Sequence, residues 1–101
     1  MVVRFYFPKQ DNDGHPVDTD KVKAGFLDIV GGLTLYDGRG VWKNATGKVY
    51  DEPVTIVEIL LPSTDAGFAT VHELTDVAEW FKTEYKQESV CCAVDGEAVF
   101  I

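Results

Sequence analysis

The sequence predicts a protein of the α+β class, with one antiparallel sheet and two helices on the same face of that sheet. Its 101 residues are enough for one domain, and we expect residues 1–101 to form it. The predicted elements follow the order strand, helix, strand, strand, helix, strand. Two split β-α-β halves in this order give the ferredoxin-like sandwich, whose four strands have the first and third at the centre.

The first half begins with a strand and continues into a helix. Val2 to Phe7 is rich in β-branched and aromatic residues and is followed by Pro8, which predicts a strand. Asp18 or Thr19 can cap the helix that follows. Gly31-Gly32 predicts the end of that helix, because glycine tolerates the left-handed conformation of a helix terminus. The apolar positions that set the helical spacing are Val22, Phe26, Ile29 and Val30.

The middle of the chain predicts a hairpin of two strands. Leu33 to Tyr36 is a short strand, and the glycines of Asp37-Gly38-Arg39-Gly40 predict a turn or bulge before the strand resumes at Val41 to Lys43. Asn44 to Gly47 predicts the hairpin turn, and Lys48 to Leu61 returns as a long strand. Pro53 cannot donate a backbone hydrogen bond, so this end of the strand is expected at an edge or a bulge.

The last third predicts a second helix and a final strand. Ser63, Thr64 or Asp65 can cap the helix, and Gln87 to Ala93 begins the strand. Asp95-Gly96 is a turn or bulge that precedes a short terminal segment. The apolar stripe of the helix consists of Phe68, Val71, Leu74, Ala78, Phe81 and Tyr85.

The composition excludes several functional classes. Nine basic and 17 acidic residues give a net charge of −8, which disfavours direct binding to nucleic acid. No apolar run is long enough to cross a membrane, and the first residues do not resemble a signal peptide. Adjacent Cys91 and Cys92 would need strained geometry to form a disulfide, so we expect reduced thiols and a cytoplasmic location.

Strand alternation places a mixed set of side chains on the sheet face without helices. Arg4 and Tyr6 of the first strand and Glu58 of the third are expected there, and Tyr36 joins them if the register allows. Such a face is too apolar for plain solvent surface. We expect it to pack in a homodimer, with Arg4 and Glu58 as a cross-strand ion pair, in preference to forming a ligand cavity.

Few residues offer chemistry. His72 is a candidate proton carrier on the second helix, and Tyr36, Arg39 and Trp42 can form an aromatic and cationic clamp for a planar ligand. Neither histidine has a second metal ligand at helical or hairpin spacing, and no phosphate-binding loop is present. We therefore expect no metal and no cofactor. The candidates for ligand binding or an interface are Arg4, Tyr6, Tyr36, Arg39, Trp42, Glu58 and His72.

Several short motifs carry a resemblance to a known family. Gly32-Leu33-Thr34, then Asp37, Gly40 and Trp42, and later Gly47, Glu52-Pro53 and Gln87-Glu88-Ser89-Val90 resemble the bacterial and phage family called domain of unknown function 3574. The resemblance covers most of the chain, and the family that it indicates has no established activity or cofactor. Many members carry an N-terminal leader, which this chain does not show, so the resemblance implies no compartment.

The function favoured by the sequence is a non-enzymatic dimeric module that binds a small molecule or a protein partner through the open sheet face. One alternative is a cofactor-independent small enzyme of the dimeric α+β barrel type, with Glu58 or His72 as proton carrier and Arg4 or Arg39 binding an anionic group. A second alternative is an acidic interaction or inhibitor protein from a mobile genetic element.

Overall fold

The computed structural model describes residues 1–101. It contains two helices, α1 (Thr19–Leu27) and α2 (Asp65–Glu84). All five strands form one antiparallel sheet in the order β2-β3-β1-β4-β5. The strands are β1 (Val2–Pro8), β2 (Thr34–Lys43), β3 (Val49–Leu60), β4 (Cys91–Val94) and β5 (Glu97–Phe100).

The α+β class is confirmed, with β1 at the centre and β3 beside it, but the number of strands is five and not four. Asp95 and Gly96 have φ values of 49° and 84° and form a tight turn. This turn folds the end of the chain back on β4, so that Cys91 pairs with Phe100. The terminal segment is therefore a separate edge strand and not a continuation of the fourth.

Both helices pack on one face of the sheet through aromatic side chains. Phe5 and Phe7 of β1 contact Phe26 of α1 with ring centroids 5.0 and 5.9 Å away, and Phe7 meets Phe81 of α2 at 4.8 Å. The buried cluster holds 13 residues, and its β1 members are Val3, Phe5 and Phe7. Alternate residues of β1 therefore face the helices, and the residues between them face away.

The first helix ends earlier than its glycines suggested. Asp18 caps its N-terminus by accepting from the backbone N–H of Asp20, and the C-cap is Asp28. Gly31 and Gly32 lie beyond it and do not have positive φ. The predicted stop at Gly31-Gly32 is wrong because the chain leaves the helix at Asp28, where a tight turn to Phe26 directs Ile29 and Val30 toward the core.

Strand β2 runs without interruption, so the predicted turn or bulge at residues 37–40 is wrong. Gly38 pairs with Val54 and Gly40 with Glu52 in regular register. A Cβ at Gly38 would lie 2.9 Å from Ile56 Cδ1, and one at Gly40 would lie 3.1 Å from Val54 Cγ1. These glycines give space to side chains of β3 and do not bend the strand.

Helix α2 begins as predicted, with the Thr64 hydroxyl accepting from the Gly67 N–H at 3.1 Å. Its stripe is buried at Leu74, Ala78 and Phe81. Phe68, which was predicted in the stripe, is 51% exposed. The buried residue of the first turn is Gly67, whose missing side chain leaves room for the carbonyl of Pro62.

Gly67→Ala is expected to destabilise the fold although alanine is the better helix former. An added Cβ would overlap the Pro62 carbonyl oxygen, which belongs to the backbone and cannot move aside cheaply. We expect a loss of about 1–3 kcal/mol in the free energy of unfolding, as in other overpacked sites. Denaturant unfolding measures it, with Gly31→Ala as control, since a Cβ there meets nothing within 4 Å. An unchanged midpoint in Gly67→Ala would contradict this packing.

Candidate functional site

The sheet face that the helices leave uncovered carries the candidate site, and we call it the open face. The register aligns Thr34, Glu58, Arg4 and Ala93 in one row across four strands. The next row consists of Tyr36, Ile56, Tyr6, Cys91 and Phe100. The structure therefore places four of the candidates predicted from the sequence, Arg4, Tyr6, Tyr36 and Glu58, on two adjacent rows.

Arg4, Glu58 and Tyr36 form a hydrogen-bonded cluster on this face. The Arg4 Nε donates to Glu58 Oε1 at 2.8 Å, and the Tyr36 hydroxyl donates to the same oxygen at 3.3 Å. The bond to Glu58 and, after it, the neighbouring Tyr36 hydroxyl raise the pKa of Arg4. The predicted cross-strand ion pair is present, and its side chains are 37% and 24% exposed, so solvent reaches both.

The cluster leaves polar atoms available for a ligand. The Arg4 bond to Glu58 uses Nε, so Glu58 does not occupy the two terminal nitrogens of the guanidinium, which lies beside the Tyr36 hydroxyl. Both bonds to Glu58 end on Oε1, which leaves Oε2 free of protein donors. A guanidinium and a carboxylate side by side can bind a molecule that carries both a negative and a positive group.

Apolar and aromatic side chains surround the cluster and remain exposed. Leu60 is 72% exposed, Phe100 70% and Tyr36 38%. Neither Arg4 nor Glu58 lines either of two clefts on the chain, although Tyr36 lines one of them. The open face of a single chain is therefore a surface and not an enclosed cavity, and a small ligand on it would stay in contact with water.

The clamp predicted from Tyr36, Arg39 and Trp42 does not form. Because β2 is regular, Tyr36 and Trp42 share one face and Arg39 lies on the other. On that face the Arg39 Nε donates a hydrogen bond to Asp51 Oδ1 at 2.6 Å, and this bond lowers the pKa of Asp51. Trp42 instead stacks on Tyr50 with ring centroids 5.5 Å apart.

His72 lies apart from the other candidates. It is an exposed residue of α2, in the helical layer, whereas Glu58 belongs to the opposite sheet face. The structure therefore does not bring together the two proton carriers that the sequence offered.

Two residues on the side of the open face were not among the candidates. Phe100 reaches the second row only because β5 turns back on β4, which the predicted four strands did not include. Glu52 pairs with Gly40 and is half-buried, and burial raises the pKa of its carboxyl group. Glu52 lies an even number of residues from Glu58 along β3, so strand alternation places both on the same face, and this spacing could have identified it.

The two cysteines are free thiols. Cys91 is on the open face beside Tyr6, and Cys92 is in the core beside Phe5. Burial raises the pKa of Cys91. Burial also raises the pKa of Cys92 to about 11, and the charge of the neighbouring Cys91 contributes to that rise. A thiol with a raised pKa is a poor nucleophile at neutral pH, so neither cysteine is equipped for covalent catalysis.

One group of side chains could hold a metal ion. Ligand atoms of Asp11, Asp13 and His15 lie within 4.8 Å of one another in the loop after β1. The backbone N–H groups of Asp13 and His15 both donate to Asp11 Oδ1 at 2.9 Å. These bonds account for the lowered pKa of Asp11 and for the loop conformation without an ion.

Two clefts do not include the Arg4 and Glu58 pair, and Tyr36 is among the lining residues of the first. One of about 440 Å³ sits at the β2 edge beside the Lys9–Asp37 ion pair, with N–O distance 2.6 Å. The other, about 520 Å³, lies between the helices and is lined by Ile29, Val77 and Trp80 together with Glu73 and Asp76. Neither cleft contains the Arg4 and Glu58 pair.

Comparison with known proteins gives a family and a fold. A family model described as "Protein of unknown function (DUF3574)" matches residues 3–100. The chain belongs to the DUF3574 family. The resemblance seen in the glycine and tryptophan motifs of this DUF3574 protein is therefore confirmed. A search of curated proteins finds no match for it.

Two solved structures share the fold of this DUF3574 protein. A phage SAM lyase in complex with S-methyl-5'-thioadenosine has 18% sequence identity and a TM-score of 0.69, and covers 99% of this chain and 87% of its own. A phage SAM lyase in the apo state has 16% identity and the same TM-score, and covers 99% and 86%. At this identity the likeness shows the fold.

These structures correct the function predicted from the sequence. The prediction of a non-enzymatic binding module is wrong, because the solved structures that share the fold over 99% of this DUF3574 protein are those of a phage SAM lyase. The sequence supported an enzyme only as an alternative, since it contains no catalytic motif. As expected, neither helix is long and apolar enough to span a membrane.

Proposed function

We propose that this chain is an enzyme that cleaves S-adenosylmethionine, or a closely related sulfonium nucleoside, on the open face. The observation that carries the proposal is the Arg4, Glu58 and Tyr36 cluster, which lies uncovered on a fold shared with a SAM lyase. The fold likeness gives the candidate reaction, and the cluster supplies residues suited to it.

The substrate has the groups that this face can bind. Its methionyl part carries a carboxylate, which suits the free terminal nitrogens of Arg4, and an ammonium group, which suits Glu58 Oε2. Its sulfur is positively charged, and aromatic faces attract such cations. Tyr6 and Tyr36 lie in the row beside the ion pair and can contact the sulfonium or the adenine ring.

The proposed reaction takes the nucleoside bound in the phage lyase structure as its product. S-Methyl-5'-thioadenosine keeps the adenosine, sulfur and methyl group of S-adenosylmethionine, so the bond between sulfur and the methionyl chain breaks. Its electron pair moves to sulfur, which becomes a neutral thioether. A carboxylate oxygen of the substrate forms the new bond to the methionyl carbon that the sulfur leaves, so a lactone closes without added water. This step removes opposite charges, so a dry environment favours it.

The proposal also covers the type of sandwich, the cellular location and the need for a cofactor. The order β2-β3-β1-β4 supports a ferredoxin-like sandwich with one added edge strand. The free thiols of Cys91 and Cys92 support a cytoplasmic location. We retain these as proposals together with the absence of a cofactor.

The test is the release of S-methyl-5'-thioadenosine from S-adenosylmethionine by the purified full chain. Chromatography measures the nucleoside over time, and a blank without protein is subtracted, since the bond also breaks slowly in water. We expect a rate proportional to protein concentration. A rate equal to the blank across a range of substrate concentrations would overturn the proposal.

A further inference from the structure

The cleft of about 440 Å³ at the β2 edge has side chains from the helix-bearing side of the sheet in its lining. Thr55 pairs with Phe7 on β1 and with Asp37 on β2, so the side chains of Thr55 and Asp37 face the helices as Phe7 does. Both residues line the cleft, together with Thr19, the first residue of α1. The cleft is large enough for a small molecule and offers a binding place other than the Arg4 and Glu58 pair.

Thr55 is the most informative residue of this cleft, because its hydroxyl group is buried without a partner. The residue is 8% exposed and is the one buried polar residue of the chain. The threonine hydroxyls that form hydrogen bonds within the chain are those of Thr46, Thr64, Thr70 and Thr75. No side-chain polar atom that is sealed from solvent lacks a partner, so the Thr55 hydroxyl opens into the cleft. A ligand that bonds to this hydroxyl removes the cost of leaving it unpaired.

An ion pair lies beside Thr55. Lys9 Nζ is 2.6 Å from Asp37 Oδ1. Lys9 follows β1 and Asp37 belongs to β2, so the two side chains meet across β3, the strand that carries Thr55. The side chains are 36% and 79% exposed, so a dissolved molecule can reach both. The lysine ammonium has three donors and the carboxylate has two oxygens, which leaves each group able to bind a ligand as well.

These groups favour a ligand with charges of both signs. An anion alone would be repelled by Asp37, and a cation alone by Lys9. An α-amino acid carries an ammonium and a carboxylate group on one carbon, so it can bind to both members of the pair. Its side chain would then lie toward Thr55, beside the apolar residues Val17 and Leu35. A charged end would have no partner there, whereas a hydroxyl group would bond to Thr55.

We propose that this cleft binds a free α-amino acid with a short side chain that ends in a hydroxyl group. Lys9 binds the carboxylate, Asp37 binds the ammonium group, and the Thr55 hydroxyl bonds to the hydroxyl of the ligand. The lining includes neither Arg4 nor Glu58. The site can therefore bind its ligand whether or not the chain cleaves a sulfonium nucleoside.

Titration of the natural chain with L-homoserine and with L-norvaline tests the site without a measurement of activity. The two amino acids are equally long, and norvaline has a methyl group where homoserine has the hydroxyl. Backbone amide shifts followed by NMR give both the affinity and the location. We expect saturable shifts at Lys9, Leu35 and Thr55, with homoserine binding about 10-fold more tightly. Equal affinities, the absence of saturable shifts, or saturable shifts confined to Arg4 and Glu58 would overturn the proposal.

Thr55→Val tests the bond to the ligand's hydroxyl. The substitution keeps the size of the side chain and removes its hydroxyl, so the preference for homoserine over norvaline is expected to disappear. Thr70→Val is the matched control, because the Thr70 hydroxyl bonds to Ala66 O within α2, outside the cleft. A folded Thr55→Val that keeps the preference would contradict the role of Thr55.

Lys9→Met tests the bond to the carboxylate and keeps the site testable if Thr55→Val does not fold. The variant keeps the aliphatic part of the side chain and loses the charge, so both amino acids are expected to bind about 10-fold less tightly. Lys82→Met is the control, since Lys82 pairs with Glu79 on α2. Unchanged binding of homoserine to Lys9→Met would show that the amino acid does not bind at the ion pair.

Discussion

Glu58→Gln is expected to lower the rate of S-methyl-5'-thioadenosine release by a factor on the order of 100, since removing one preorganised electrostatic group from an active site commonly costs this much. The substitution keeps the size of the side chain and removes its charge. The variant side chain no longer attracts the ammonium and sulfonium groups of the proposed substrate, and Arg4 loses its ionic partner.

The same substitution should leave the fold intact. Arg4 and Glu58 are both accessible to solvent, and exposed ion pairs contribute about 0–1 kcal/mol. Glu79→Gln is the matched control, because Glu79 lies on α2 and pairs with Lys82 at 3.2 Å, in the helical layer. Equal rates for Glu58→Gln and the natural chain, at saturating and at low substrate, would exclude Glu58 from the site.

Phe7→Ala is expected to cost about 3–5 kcal/mol in the free energy of unfolding, the range of large-to-small changes in cores. Phe7 is fully buried, and its ring contacts Phe26 of α1 and Phe81 of α2, so it joins both helices to the sheet. A domain of this size has a total stability of about 5–15 kcal/mol, so much of it would be lost.

Denaturant unfolding measures the effect of Phe7→Ala. Phe68→Ala is the matched control, since Phe68 is 51% exposed and its truncation is expected to cost less than about 1 kcal/mol. Similar losses in the two variants would show that the core is not organised around the β1 phenylalanines as described.

Strand alternation explains why the open face could be predicted from the sequence. The apolar residues Val3, Phe5 and Phe7 alternate with Arg4 and Tyr6, so only one arrangement buries the apolar set. The same reasoning applies to β3, where Ile59 and Val57 flank Glu58. Burial of one face therefore fixed which side chains meet on the other.

Glycine explains most of what could not be predicted. A glycine in a strand can bend the chain through positive φ or can make room for a neighbour, and the sequence does not distinguish these uses. Gly38 and Gly40 make room for β3 side chains, and this difference moves Arg39 to the face opposite Trp42. Gly96 has positive φ and creates β5, which brings Phe100 to the open face.

The extension of β2 and β3 beyond the end of β1 could not be predicted for a related reason. The sequence shows that β3 is long, but not how much of it pairs with β1, since that depends on where Pro8 meets Val54. The proposed catalytic role could not be predicted from the sequence because an arginine, a glutamate and tyrosines on a sheet face match no short motif. The spatial rows of the open face, together with the fold likeness, support the proposal of an enzyme.

We propose that the open face binds the nucleoside part that S-adenosylmethionine and S-methyl-5'-thioadenosine share, and an NMR titration with S-methyl-5'-thioadenosine tests this binding. We expect backbone amide shifts to move with saturable dependence at Arg4, Tyr6, Tyr36 and Glu58, with little change in α2 around His72. Saturable shifts confined to the helices, or no shifts at millimolar nucleoside, would contradict it.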